Sequence, residues 1–136
     1  KKKNNTFSSS KIEDQLKEYF DLNNINYIYQ YRSDLYPFSC DFYFPDMDLY
    51  VEIQGSWTHG DHPFTGSEED LKTVELWRSK GSKYYDNAIS VWTIRDVKKR
   101  ETAEKNGLNW IEIFSCDLDE CLKEIGEHCV SHGYIK

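Results

Sequence analysis

Two short runs of alternating residues, 39–44 and 48–54, hold the side chains best suited to chemistry. Successive strand residues point to opposite faces. Cys40, Phe42 and Phe44 therefore share one face of the first run, with Asp41 and Tyr43 on the other. In the second run Leu49, Val51 and Ile53 oppose Tyr50, Glu52 and Gln54. Pro45, Asp46 and Met47 join the runs into a hairpin, and aligning the apolar faces puts Asp41, Glu52 and Gln54 on one polar face. Two carboxylates about 4 Å apart repel by roughly 4 kcal/mol at an effective dielectric near 20, so a fold that holds them together raises one pKa or recruits a cation. Oxygen donors select magnesium or manganese rather than zinc. The alternative is a half-exposed sheet face whose acids are simply solvated.

Other candidates surround this pair. Glu13 lies three residues after Ser10, the spacing of a capping box. His59 and His62 fall in 55–67, where Gly55, Gly60, Gly66 and Pro63 indicate a loop long enough to be functional. Their spacing would chelate a metal only on a helix, which the glycines oppose. Trp57 and Phe64 in the same stretch are either core contacts or apolar wedges for a substrate. The formal net charge is −7, yet residues 78–105 carry 8 basic and 4 acidic side chains, with Lys98, Lys99 and Arg100 consecutive. A basic strip beside an acidic pocket suits an enzyme that grips phosphates, and equally suits a solvated helix face. Arg95 either pairs with a carboxylate or clamps a phosphate.

The elements that must position these groups follow from periodicity. Residues 1–9 read as a flexible basic lead, and 10–136 as a single domain. Ile12, Leu16, Tyr19 and Phe20 predict a helix over 10–22, and tyrosines and isoleucine predict a strand over 26–32. The hairpin and loop come next, then a helix around 71–77 and a helix or short strand over 84–92. A basic helix N-capped by Asp96 ends at Gly107, a buried strand covers 109–114, and a closing helix covers 117–129. This order predicts an α/β fold with a mixed central sheet flanked by helices. At 136 residues and 38% hydrophobic content, the chain can build one core without disulfides, and four cysteines with no CxxC pair read as reduced thiols. No apolar run approaches a membrane span and no secretion signal is present, so the expectation is a cytoplasmic protein with no membrane partner. Starting at Lys1, with Met47 its only methionine, the chain reads as part of a longer product.

A glutamate on a first helix, an aspartate in one strand, a Glu-x-Lys variant in the next, then a basic helix and a strand resemble the PD-(D/E)XK nuclease superfamily. Glu13, Asp41, Glu52 and Gln54 are the matching residues. The literal Pro45-Asp46 lies in the turn, too close to Glu52, so Asp41 is the better match. Within the superfamily, residues 10–116 resemble very-short-patch-repair endonucleases and related phage-type homing endonucleases. The motifs are Asp41-Phe42-Tyr43-Phe44, then Gln54-Gly55-Ser56-Trp57-Thr58-His59, Ile94-Arg95-Asp96, and the segment from Asn106 to Ile113. The resemblance implies a restriction-endonuclease-like core and hydrolysis of DNA phosphodiester bonds. It also implies a magnesium ion, replaceable by manganese, on Asp41 and Glu52, with Glu13 supporting it through water. Gln54 replaces the superfamily's lysine, leaving His59 as the proton carrier and His62 in reserve. Arg95, Lys98, Lys99 and Arg100 would hold the DNA backbone. Ser56, Asp61 and Pro63 stand at the repair enzymes' zinc positions with only Cys116 left, so no structural zinc is expected. A nuclease-fold DNA-binding module without turnover is the alternative.

Overall fold

The computed structural model describes residues 9–55 and 57–131. The expected lead therefore lies outside the described residues except for Ser9, which opens α1 (Ser9–Leu22). Ile12, Leu16 and Phe20 recur every fourth residue along α1, and all three are buried. They pack on a four-stranded sheet, ordered β1 (Ile28–Tyr31), β2 (Cys40–Phe44), β3 (Leu49–Ile53) and β4 (Asn109–Ile113). β1–β2 and β2–β3 are antiparallel, whereas β3 and β4 run parallel. A parallel pair needs a long crossover. Residues 54–108 supply it as a short 3₁₀ turn (Trp57–His59), α2 (Glu68–Arg78), α3 (Lys83–Ser90), a π-helical turn (Val91–Arg95) and α4 (Asp96–Lys105). α5 (Leu118–Ser131) closes the chain and sets Cys121, Ile125 and Cys129 against the same core. The protein is thus a mixed α/β fold with helices flanking a mixed sheet.

The register divides the sheet much as the alternation predicts. Phe42 pairs with Val51 and Phe44 with Leu49, and these join α1, α5, Ile53 and Ile113 in the main core. Each such large apolar side chain, fully buried, contributes roughly 1.5–3 kcal/mol, so packing rather than intrinsic helix propensity holds α1 and α5. A second cluster gathers Tyr36, Tyr50 and Ala103, placing α4 over the opposite face. Cys40 belongs to this second cluster and not, as the alternation suggests, with Phe42 and Phe44. The β1–β2 ladder skips the Gln30–Asp41 step before resuming at Tyr31–Cys40, and the β2–β3 ladder stops at Phe42–Val51, so alternation breaks between Phe42 and Cys40. A third cluster of Val74, Trp77, Ala88 and Trp92 consolidates the crossover.

The crossover departs from the sequence reading in an instructive way. Asp96 caps no helix, because α3, the π turn and α4 form one uninterrupted helical run and Asp96 has helical dihedrals (φ −67°, ψ −37°). Ser82 is the N-cap, its hydroxyl accepting the Tyr85 N–H at 3.2 Å. The ambiguous stretch 84–92 is therefore helical, and the π turn packs beside the 3₁₀ turn that carries His59. Such insertions occur often at functional sites because they re-aim the side chains beyond them.

Gly55, just after β3, illustrates how tightly the site is framed. A methyl group there would sit 2.5 Å from the Ser115 carbonyl oxygen and 2.7 Å from Cys116 Sγ. We expect Gly55→Ala to destabilise the protein by about 1–3 kcal/mol, the usual cost of overpacking, as read from urea unfolding. Gly126→Ala, where the added methyl meets nothing within 4 Å, is the control.

Candidate active site

The site opens where strand pairing stops. The ladder between β2 and β3 ends at Phe42–Val51. One step further, side chains take over: the Asp41 carboxylate accepts the Ile53 N–H at 2.8 Å, and the Asp41 N–H points at Glu52 Oε1 at 3.4 Å. On the neighbouring strand Gln30 adopts a left-handed conformation (φ 60°), interrupting β1 at the same level. Long side chains adopt that region rarely, and such strain clusters at functional sites. The parted strands leave a cavity of about 240 Å³. Its wall contains Glu13, Asp41, Glu52, Gln54 and His59, five residues spread over 47 positions of sequence, together with Gln30, Arg95, Asp96 and Lys99.

Four carboxylates line this space, and Glu13, Asp41 and Glu52 form one group within it. Glu52, 1% exposed, accepts the Tyr36 hydroxyl on Oε2 and lies 3.3 Å from the Lys99 ammonium. Glu13 is buried and accepts the Tyr29 hydroxyl at 2.5 Å, so its side chain serves the cavity wall. Burial pushes the Glu13 carboxyl upward, against the Tyr29 hydrogen bond. The Tyr29 hydroxyl is itself pushed up to about 12, by burial and then by Glu13. Asp41 is raised well above the ordinary carboxylate range, chiefly by burial and then by the charges of Glu52 and Glu13; the Ile53 N–H and Lys99 oppose the shift without cancelling it. Lys99 thus acts on Glu52 and Asp41, while Lys17 is the cation felt by Glu13.

A second dyad borders the acids. His59 Nδ1 lies 2.6 Å from Asp96 Oδ2, and Asp96 is 2% exposed. Asp96 Oδ1 is buried and has no hydrogen-bond partner among the described residues, so the carboxylate is committed to His59. A carboxylate on Nδ1 keeps the neutral ring protonated there and leaves Nε2 as the acceptor.

Several expected contributors lie elsewhere. His62 is outside this cavity, held between Asp61 at 2.5 Å and Asp70 at 2.6 Å, and hydrogen bonds to Asp70 and then Asp61 raise its pKa. The basic strip is not a continuous exposed surface. Lys98 and Arg95 are exposed, with Arg95 at the cavity, but Lys99 is buried against Glu52. Arg100 turns the other way and grips Glu112 through Nε at 2.6 Å and Nη2 at 2.7 Å. Gln54 Nε2 joins that Glu112 carboxylate at 3.2 Å. Consecutive helix residues diverge by about 100°, so three adjacent cations cannot share one face. Arg95, Asp96 and Lys99, spaced i, i+1 and i+4, converge instead; that helical spacing was the available signal for the roles of Asp96 and Lys99. Tyr29 and Tyr36 carried no such signal. Phe64 packs on Trp92 at a ring separation of 5.1 Å, and Ser56 lies outside the described residues.

Among the described residues, no group of three or more His, Cys, Asp or Glu side chains is arranged to hold a metal. Asp41 and Glu52 nevertheless present hard oxygen donors in a cavity with surplus negative charge. That set fits magnesium, which commonly takes one or two carboxylates and completes its shell with water and substrate phosphate. Compared with protein-family models, curated proteins and solved structures, the chain matches none. No described helix is long and apolar enough to cross a membrane.

The two acids should respond differently to neutralisation. Asp41 binds its proton more tightly folded than unfolded, so its contribution to stability is present below the unfolded value, about 3.9, and is lost as pH rises toward the raised folded value. Asp41→Asn should flatten this decline and raise the Tm at neutral pH. Glu52→Gln should lower the Tm, because it leaves Lys99 buried without its counter-charge. Mutual repulsion of the two acids alone would be relieved by either change; the Lys99 contact reverses the outcome for Glu52. Thermal melts of both variants between pH 5 and pH 9, roughly the range over which such a carboxyl titrates, test the contrast.

Proposed function

We propose that this chain is a magnesium-dependent DNA endonuclease built on a restriction-endonuclease-like core. The observation that carries the reading is the convergence, in one cavity, of Asp41, Glu52, Lys99 and the His59–Asp96 dyad. Asp41 and Glu52 would hold the cation, and Glu13, tied to Tyr29, would bind its water. When bound, the cation neutralises charge on the phosphodiester and lowers the pKa of water.

The remaining groups divide the work of hydrolysis. His59 Nε2 accepts a proton as water attacks phosphorus, and Asp96 stabilises the resulting imidazolium. The new phosphorus–oxygen bond forms as the bond to the leaving oxygen breaks, and solvent returns a proton to that oxygen. Lys99 places a positive charge beside the carboxylates, where the transition state gains negative charge. It stands in from α4 for the lysine that the superfamily carries where this chain has Gln54. Arg95 and Lys98, exposed cations of this segment, suit contacts to neighbouring phosphates.

A second reading, a nuclease-fold module that binds DNA without cutting it, is favoured by one observation. The Gln54 amide is tied to Glu112 and therefore cannot move freely to orient water. Incubation with supercoiled plasmid, in magnesium and in EDTA, separates the readings. The endonuclease predicts conversion to nicked or linear forms in magnesium alone; retarded but intact plasmid supports the module, and cleavage unchanged by EDTA contradicts the cation.

His59→Ala should slow cleavage by about 10² to 10⁴ with little change in DNA affinity. Lys99→Met should slow it by about 10², the scale on which a single transition-state charge interaction acts. Neutralising Arg95 and Lys98 together should weaken binding across sequences and make the dependence of log affinity on log salt shallower by about 0.9 for each phosphate no longer neutralised. Fluorescence anisotropy over a salt series measures that slope. An unaltered slope would place the DNA path elsewhere.

A further inference from the structure

A second cavity, of about 440 Å³, adjoins the first and shares Gln54 with it. It lies within the roughly 300–1,000 Å³ range of small-molecule pockets. Trp77, Trp92 and Phe114 line it, with His62 and Thr73 adding to the wall. We propose that this cavity receives one unstacked nucleobase from the strand whose backbone occupies the carboxylate cavity; the proposal rests on the endonuclease reading above.

The wall selects the class of ligand. Among the described residues it contains no lysine or arginine, and both ring nitrogens of its histidine are engaged by Asp61 and Asp70. A phosphate would find no lysine or arginine there to neutralise it. An uncharged planar ring suits this mostly apolar wall, in which Phe114 is partly exposed and Trp77 and Trp92, largely buried, form a firm backing.

The same wall carries a buried amide able to read a base edge. Gln54 is 3% exposed, and its Nε2 donates to Glu112, which Arg100 holds by two further hydrogen bonds. An amide oriented in this way retains Oε1 as an acceptor. The matching partner is the edge of an unpaired base, since each of the four presents an amine or a ring N–H donor. A glutamine buried in a site lined by aromatics, with one of its two amide N–H groups tied to Glu112, is better placed to recognise a ligand than to activate water.

The pocket is also held in shape before any ligand arrives. Trp92 Nε1 donates to the His62 carbonyl at 2.9 Å, and the Trp77 and Trp92 rings lie 5.3 Å apart. Asp70, anchored at the start of α2, accepts the Thr65 N–H at 2.9 Å as well as the His62 contact, so the loop is pinned to a helix. Gly60 has a positive φ of 65° and leaves 2.5 Å between the site of an added methyl and the Trp92 ring. Preorganisation of this kind lowers the cost of ordering a site on binding.

Base extrusion costs least where the base is already unpaired. The test therefore measures binding of the Asp41→Asn protein, by anisotropy, to three probes: a paired duplex, the same duplex with one bulged adenine, and the same duplex with a bulged abasic nucleotide. The adenine bulge should bind about tenfold or more tighter than the paired duplex, and the abasic bulge should forfeit most of that gain. Thr73→Trp, which fills the cavity from α2, should abolish the preference and keep affinity for paired DNA; Thr73→Phe serves the same purpose if the larger ring prevents folding. Equal binding of adenine and abasic bulges, or a preference that survives the filled cavity, overturns the proposal. Binding and magnesium-dependent cleavage of paired DNA by the unaltered site, without bulge preference, would sink the pocket alone. Absence of binding to every probe, together with no plasmid cleavage, would sink the endonuclease reading as well.

Discussion

Burying Glu13, Asp41 and Glu52 around one small cavity imposes a charge problem that the surrounding structure is arranged to contain. Each partial solution comes from a different element. Tyr29 of β1 serves Glu13, the Tyr36 loop and Lys99 of α4 serve Glu52, and the Ile53 N–H of β3 serves Asp41. Because Lys99 supplies the ammonium that pairs with Glu52, α4 must lie over the second face of the sheet, and the crossover must be long enough to bring it there. The raised Asp41 carboxyl is the part of the problem that protein groups alone leave unsolved.

Keeping such a site open conflicts with regular strand pairing. The hairpin accepts the conflict locally: Asp41 exchanges a ladder hydrogen bond for a side-chain one, and Gln30 departs from extended geometry beside it. The main core bears the consequence. Phe42, Phe44, Leu49, Val51 and Ile53 remain fully buried immediately alongside, so the distortion is surrounded by packing that fixes it. A carboxylate held by such a frame is positioned without needing a flexible search, which is the condition for precise charge placement in catalysis.

The π turn before α4 links the crossover to this frame. Within it, Trp92 packs with Trp77 and Phe64 and anchors the His62 loop. Beyond it, Asp96 and Lys99 reach His59 and Glu52. One helical run therefore connects the aromatic cavity to the acidic one, and Gln54 forms part of both walls. In the functional reading proposed above, that continuity sets the distance between a phosphodiester and the base beside it.

Local patterns in the chain were sufficient for the hairpin: alternation matched Phe42 with Val51 and Phe44 with Leu49 on its apolar face, and helical spacing built α1. Glycine content identified the loop carrying His59. Those features depend on residues close in sequence, whose geometry follows from a strand or helix period. The partners of Asp41, Glu52 and His59 were not legible in that way. Asp96 looks like a cap and Lys99 like part of a surface strip until α4 is laid across the sheet, and Arg100 looks equivalent to Lys99 until helix rotation turns it toward Glu112. Pairings across 37 and 47 residues are decided by which helix face meets the sheet, a property of packing over the whole core and not of any short segment.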